Sequence, residues 1–429
     1  MRVTATGEQS TNTNPKWVNL ALAALLIYYV VLVASDLVWK NFCGNLALDY
    51  CSFWSAGYIA NHVGYAKVYD LDQLEQVQRG LFPPNADPTL FATVPTPFLP
   101  VYVLPLQFVA FLKPFLGFGV WSLLNIVGFI GYLVWWFRKL SNRAIPVSLL
   151  FMFLLSLPVF LDLFWGQVNL WLMICIGEYI RGLMDKKQIR AGLWLGGLFL
   201  KPQLLILIVP ALLFQRSFKM LFGFVINATT TLLVSLSLAG FDGLWRLVQL
   251  WIGYVSGLPS NDPQTMMNWR MVALALNNFM PSTFGWAIAV LGILITIAVT
   301  FSLWRVPVAV DSPNFSIVHL GLFVATGTID WHSHFSTSMI LIPLFLLAYI
   351  YGVFPEKLFL FWMFFPVVVR FAVLLLWSLI QASVISDRFT QLSNFAFGFS
   401  GLILNIAILI WSYQMIVRHR GMQLANESL

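Results

Sequence analysis

Apolar positions in this chain fall in long unbroken blocks, not in the alternation of a half-buried strand or the narrow stripe of a soluble helix. The first block, 17–35, is long enough to span a bilayer, for which about 20 apolar residues suffice. It lacks a small-residue cleavage site of the A-x-A kind, so it predicts a first transmembrane helix and not a signal peptide. Further blocks of spanning length lie at about 118–137, 144–164, 168–183, 218–240, 284–304, 314–330, 335–353, 357–380 and 393–417. Two blocks are interrupted: Pro97, Pro100, Pro105 and Pro114 bracket and break 98–112, and Lys201-Pro202 cuts 191–214 near its middle. Each predicts a broken or re-entrant element, because proline removes a helical hydrogen bond.

Positive charge beside the membrane ends decides how these blocks thread, since Lys and Arg favour the cytoplasm. If both interrupted blocks return to the side they entered from, Arg138, Lys139, Arg143, Arg181, Lys186, Lys187 and Arg190 fall on the cytoplasmic side with the N-terminus. If both cross fully, the same residues face outward. The first arrangement is therefore expected: an all-α polytopic bundle with about ten full crossings, two broken elements and both termini inside. It divides into a cytoplasmic tail 1–16, one transmembrane domain 17–417 and a cytoplasmic tail 418–429. It also gathers loop 40–95, turn 165–169, loop 241–283, turn 330–334 and loop 381–392 on one outer face.

The outer loops carry helix signals of their own. Asp72 and Glu75 fit a capping box, and Leu71, Leu74, Val77, Gln78 and Leu81 supply one apolar face, which predicts an interfacial helix. Leu244, Leu247, Val248 and Trp251 predict a second. Composition agrees with lipid as the main solvent: 59% of the 429 residues are apolar and 10% charged, against about 25% charged in an ordinary soluble domain. The net charge of +7 then records orientation and gives no sign of a nucleic-acid partner. Of three cysteines, Cys43 and Cys51 share one outer loop and can pair there, while Cys175 lies in an apolar block and reads as inert core.

So few charges make each polar residue near the membrane informative. Asp49, a few positions beyond the first span, stands among aromatic and small residues where a carboxylate's pKa rises and it can act as a general base; it also fits as the N-cap of a helix starting near Tyr50. Asp70-Leu-Asp72 mimics a metal-diphosphate D-x-D, but capping accounts for Asp72. Lys201, beside a proline in an apolar block, suits an anion in a cavity better than snorkelling. Gln167 and Asn169 put two amides at a tight turn, fit for sugar hydroxyls or for capping. Arg270, after Asn268 and Trp269, offers a fork for phosphate or an interfacial anchor. His332 and His334 fit phosphate or substrate contact first, a satisfied interfacial histidine second and a metal third. Arg370, mid-span, calls for a structural ion pair with Glu178 or Asp162.

In order, Asp49-Tyr50 with Ala56-Gly57 and Val68-Tyr69-Asp70, Thr96-Pro97-Phe98, Gly166-Gln167-Val168-Asn169, Lys201-Pro202 and the histidine turn 332–334 cover roughly residues 44–340. This ordered set resembles the superfamily C (GT-C) glycosyltransferases that use polyprenyl-phosphate sugars. It is most similar to the bacterial polyprenol-phosphate-mannose-dependent α-mannosyltransferases of phosphatidylinositol mannoside synthesis. Position 50 is Tyr where the family more often has Phe. The resemblance implies Asp49 as the catalytic base of an inverting displacement, with Lys201, Arg270 and one of His332 or His334 neutralising the departing polyprenyl phosphate. It further implies Tyr50, Gln167, Asn169 and Asn268 as sugar or acceptor contacts, a plasma-membrane location with an extracytoplasmic site, a lipid or glycan acceptor, and neither metal nor other cofactor. A transporter or flippase of lipid-linked sugar would also use broken helices with charges at mid-membrane. Convergence of Asp49, Lys201, Arg270 and a histidine on one outward cavity separates the two readings.

Overall fold

The computed structural model describes residues 16–38, 42–44, 46–81, 93–256, 263–306, 308–381 and 388–427. The predicted N-terminal tail lies, apart from Lys16, outside the described residues, as do 82–92 of the first outer loop and 382–387 of the last. The described chain is helical throughout, as expected where lipid cannot satisfy exposed backbone groups. Lys16–Val38 is apolar on all sides and turns Leu20, Ile27, Val30 and Val31 outward.

Among the described residues six helices are long and apolar enough to cross a membrane: Lys16–Val38, Pro114–Ser141, Phe218–Gly253, Ser282–Trp304, Glu356–Ile380 and Phe395–His419. A seventh crossing is available if Val147–Leu154 and Leu157–Trp165, bent by 50°, act as one. The remaining expected spans are short. Block 168–183 is the 16-residue helix Asn169–Met184, block 314–330 the 17-residue helix Pro313–Ile329, and block 335–353 opens as 3-10 turns before Ile342–Ile350. Such lengths fall below the roughly 20 residues of an upright crossing. The final helix runs unbroken through Glu427, so the expected C-terminal tail 418–429 is helical as far as that residue.

Both interrupted blocks are broken as their prolines require. Pro100–Val103 and Leu104–Ala110 form one short angled element. The other comprises Gln188–Gly196, two 3-10 turns flanking Lys201, and Ile208–Phe214. Gln188–Gly196 meets the span beginning at Phe218 backbone to backbone: a Cβ on Gly192 would sit 1.9 Å from the Met220 carbonyl oxygen. Small residues permit such approach, and van der Waals packing then supplies what the hydrophobic effect cannot in lipid.

The two expected interfacial helices pack onto the rest of the protein. Leu71–Arg79 buries Leu74, and the chain after Gly240 (φ 65°, ψ −177°) buries Leu247 and Leu250, in one cluster with Ala56, Ile59, Val68 and Leu99. Arg246 reaches Asp70 at 3.1 Å across this cluster. The expected capping box is absent: the helix starts at Leu71, Asp72 falls inside its first turn, and Glu75 pairs with Arg79. Cys43 and Cys51 are joined as a disulfide, and Cys175 is a buried free thiol.

Among the basic residues placed together by the positive-inside argument, Arg181 and Arg190 converge on buried Glu178, Arg190 at 2.7 Å. Arg370 is not among its partners. Removing the carboxylate leaves two guanidiniums facing each other. Glu178→Ala should therefore cost about 1–3 kcal/mol of stability, seen as a lower melting temperature of the detergent-solubilised protein. An unchanged melting temperature would contradict this role.

Candidate active site

The site is organised by the turn between Leu157–Trp165 and Asn169–Met184. Gly166 takes a left-handed conformation (φ 72°), and both its own N–H and that of Gln167 donate to the Asp162 carbonyl, closing the helix end. The Trp121 indole donates to the Gly166 carbonyl at 3.1 Å and fixes the turn from outside. A Cβ on Gly166 would lie 2.4 Å from that of Tyr50, so only glycine lets this turn pack on the helix Leu48–His62.

That packing brings Gln167 to Asp49. The Gln167 amide nitrogen donates to Asp49 Oδ2 at 2.6 Å, and its carbonyl oxygen accepts from Lys201 Nζ at 3.3 Å. Lys201 also donates to Asn169 Oδ1 at 2.9 Å, while Asn169 donates from backbone and side chain to buried Asp162 at 3.1 and 2.9 Å. Pro202 explains the position of Lys201: the residue before proline is excluded from helical geometry, and Lys201 is extended (φ −131°, ψ 80°) between two 3-10 turns. A carboxylate, an ammonium and the amide between them thus come from three separate segments. The Asp49 side chain does not cap its helix, whose N-cap residue is Ala47. Burial pushes the Asp49 carboxyl above its ordinary range, partly offset by the Gln167 hydrogen bond and the Lys201 charge.

Asp49, Gln167, Lys201, His332 and His334 all line one cavity of about 810 Å³. Its remaining walls carry Trp165, Trp251 and Trp331, and on one side the helix Glu356–Gln381. His334 Nδ1 lies 3.0 Å from Thr265 Oγ1, and the His332 N–H donates to Asp330 at 2.8 Å. Burial, with the Lys201 and Arg270 charges, lowers both imidazole pKa values, that of His334 to about 4. Both rings are therefore neutral near pH 7 and meet a ligand as hydrogen-bonding groups rather than as cations. Among the described residues no group of three or more His, Cys, Asp or Glu side chains forms a metal-holding cluster.

Four sequence-derived candidates sit behind the cavity wall. Arg270 lies over the Trp331 ring at 4.3 Å and donates weakly to the Trp331 carbonyl at 3.4 Å. Asn268 caps Trp269–Leu276 through the Met271 N–H and donates to the Asp330 carbonyl at 2.8 Å. Tyr50 is fully buried against Phe118, and Asn169 is spent on Asp162 and Lys201. Of the proposed sugar contacts, Gln167 alone reaches the cavity.

Arg370 differs most from its expected role. Glu178 is taken by Arg181 and Arg190, and Asp162 by Asn169, whereas Arg370 lines the cavity with its guanidinium 5.5 Å from the Phe397 ring. Sequence reasoning also passed over Trp251 as a wall residue. Its signal was present in the amphipathic face after Gly240, and its indole donates to the Pro97 carbonyl at 2.9 Å.

Asp49 and Lys201 thus bring a buried acid and a cation to one cavity of an all-helical membrane protein. The sequence profile of Glycosyltransferase family 87 matches residues 96–329, more than half of the chain, and the chain belongs to that family. No curated protein and no solved structure matches it. The matched region contains Gln167, Lys201 and Arg270; Asp49, His332, His334 and Arg370 lie outside it.

Gly166→Ala should push the turn off Tyr50 and break the Gln167 link between Asp49 and Lys201. Glycosyl transfer is expected to fall at least tenfold, on the scale of a misplaced reacting group, together with lower thermal stability. Normal activity in that variant would show that the turn does not set the site.

Proposed function

We propose that this membrane glycosyltransferase moves a hexose, mannose by resemblance, from a polyprenyl-phosphate sugar to an acceptor hydroxyl on the extracytoplasmic face. The observation that carries the reading is the meeting of Asp49, Lys201, His332 and His334 on one cavity. Every cavity segment named so far except the two membrane-embedded ones, around Lys201 and Arg370, falls on the face that the charge argument assigns to the outside. One wall is a span whose opposite side, at Phe371 and Leu375, is exposed where lipid would lie. A donor anchored in the bilayer can enter from that side without a soluble nucleotide-binding domain.

In the proposed displacement Asp49 takes the proton of the acceptor hydroxyl as that oxygen attacks the anomeric carbon. The new glycosidic C–O bond forms while the bond from the anomeric carbon to the phosphate oxygen breaks, inverting the centre. Its electron pair leaves on the polyprenyl phosphate. Lys201 lies on the opposite side of Gln167 from Asp49 and balances the charge gained by the phosphate, and the neutral histidines add hydrogen bonds. Gln167 orients both groups, and the buried setting strengthens each electrostatic contact. Arg270 holds Trp331 in the wall and acts as a positioning residue.

Asp49→Asn keeps the shape of the side chain and removes its basicity. Transfer from a polyprenyl-phosphate hexose should be lost, while binding of the donor and the melting temperature stay close to those of the parent protein. Retained turnover would remove Asp49 as the base. The pH dependence has a definite sign: the base must be ionised, so kcat/KM should fall as pH drops through a pKa above the ordinary carboxylate value of about 4. Because the Lys201 charge holds this pKa down, Lys201→Met should move the acid limb to higher pH. An acid limb at the ordinary value, or one unmoved by that substitution, would contradict the assignment.

A further inference from the structure

Arg370 has no place in the reaction described so far, yet it lines the same cavity as Asp49 and Lys201. It lies inside a span, where an unpaired guanidinium is costly and rarely kept without a partner. Among the described residues no carboxylate lies within 4.0 Å of it, its Nε is buried with no hydrogen-bond partner, and its ring contact with Phe397 is long at 5.5 Å. From the first helix Tyr28 hydrogen-bonds it and Tyr29 lies near it, both uncharged at neutral pH, and Asp36 acts on it only through its charge from beyond 4.0 Å. The other arginine near the site is already occupied: Arg270 is stacked on Trp331 and does not line the cavity.

The sequence around Arg370 adds a direction. Arg370, Val373, Leu374 and Trp377 are spaced i, i+3, i+4 and i+7, so they form one helical face, and all four line the cavity. A single face therefore offers a planar cation followed by two turns of apolar and aromatic surface. This pattern fits an amphiphile with a monophosphate head and a hydrocarbon tail better than it fits a free sugar.

Resting on the reading of the donor given above, we infer that Arg370 is the arginine that binds the phosphate of the lipid-linked substrate, from the lipid-facing wall, while Lys201 holds it from the opposite side. The guanidinium fork matches two phosphate oxygens, and Val373, Leu374 and Trp377 meet the first isoprene units. When the glycosyl bond breaks, the leaving phosphate gains a second negative charge between two fixed cations. No proton or further reactant is required at Arg370.

The test compares two probes on the purified full-length protein in nanodiscs: farnesyl phosphate and farnesol, which share a tail and differ in the phosphate. Binding is read in the parent protein, in Arg370→Met and in Arg370→Gln. A charge-assisted hydrogen bond is worth about 1.5–3 kcal/mol, or roughly tenfold to a hundredfold in affinity. Both variants should therefore lose at least about tenfold of the preference for farnesyl phosphate over farnesol. Partial unfolding lowers both affinities alike, so the ratio reports the phosphate contact even in a destabilised variant. An unchanged ratio in either variant overturns the role of Arg370 and leaves the donor reading standing. A parent protein that binds the two probes equally overturns both.

Discussion

One amide joins the two halves of the chemistry. Gln167 donates to Asp49 and accepts from Lys201, so its nitrogen end holds the acid and its oxygen end holds the cation. The geometry of this bridge depends on the Gly166 turn, the seat of that turn on Tyr50, and the Lys201-Pro202 break that swings an ammonium out of a helix and towards the turn. Behind it Asn169 accepts a second hydrogen bond from the lysine and is itself held by two bonds to Asp162, which leaves one ammonium N–H for a ligand. The bridge faces a cavity whose other walls come from several further segments.

The bilayer explains why the bridge is built from broken elements. Irregular backbone at membrane depth survives only when it is buried in protein or lines a cavity, and the 3-10 turns on either side of Lys201 meet that condition. The same economy governs the outer loops. Leu71–Arg79 and the chain beyond Gly240 bury their apolar faces in a shared cluster, and through this cluster Trp251 is delivered to the cavity. Membership in Glycosyltransferase family 87 agrees with a transferase acting at such a site. The donor, the base and the lipid phosphate contact are proposals that rest on the chemistry of the residues that meet.

Much of this was legible in the sequence for physical reasons. Uninterrupted apolar blocks announce helices in lipid, prolines announce where they break, and a lysine beside proline in an apolar block announces a cavity. Asp49, Gln167 and Lys201 stood out because charged and amide groups are so scarce here. What failed to show was partnership at a distance. Nothing local indicates that Asn268 spends its amide on a helix cap, that Arg270 spends its guanidinium on Trp331, or that Glu178 takes Arg181 and Arg190 and leaves Arg370 to the cavity. The capping box at Asp72 failed for a smaller reason: the helix begins two residues earlier than the motif requires, with Asp70 at the N-cap position. The apolar blocks likewise fixed helices better than crossings, since a 16- or 17-residue helix is apolar without being long enough to span upright.

A base and a cationic cradle in a lipid-accessible cavity are proposed to serve a phosphate-linked lipid donor. The most direct measurement supplies the purified full-length protein with a panel of polyprenyl-phosphate hexoses and the matching nucleotide-diphosphate hexoses, with product identity read by mass spectrometry and anomeric configuration by NMR. Transfer from a polyprenyl-phosphate hexose with inversion, and none from the sugar nucleotides, is the expected result. Transfer from a sugar nucleotide alone, or with retention of configuration, would contradict it.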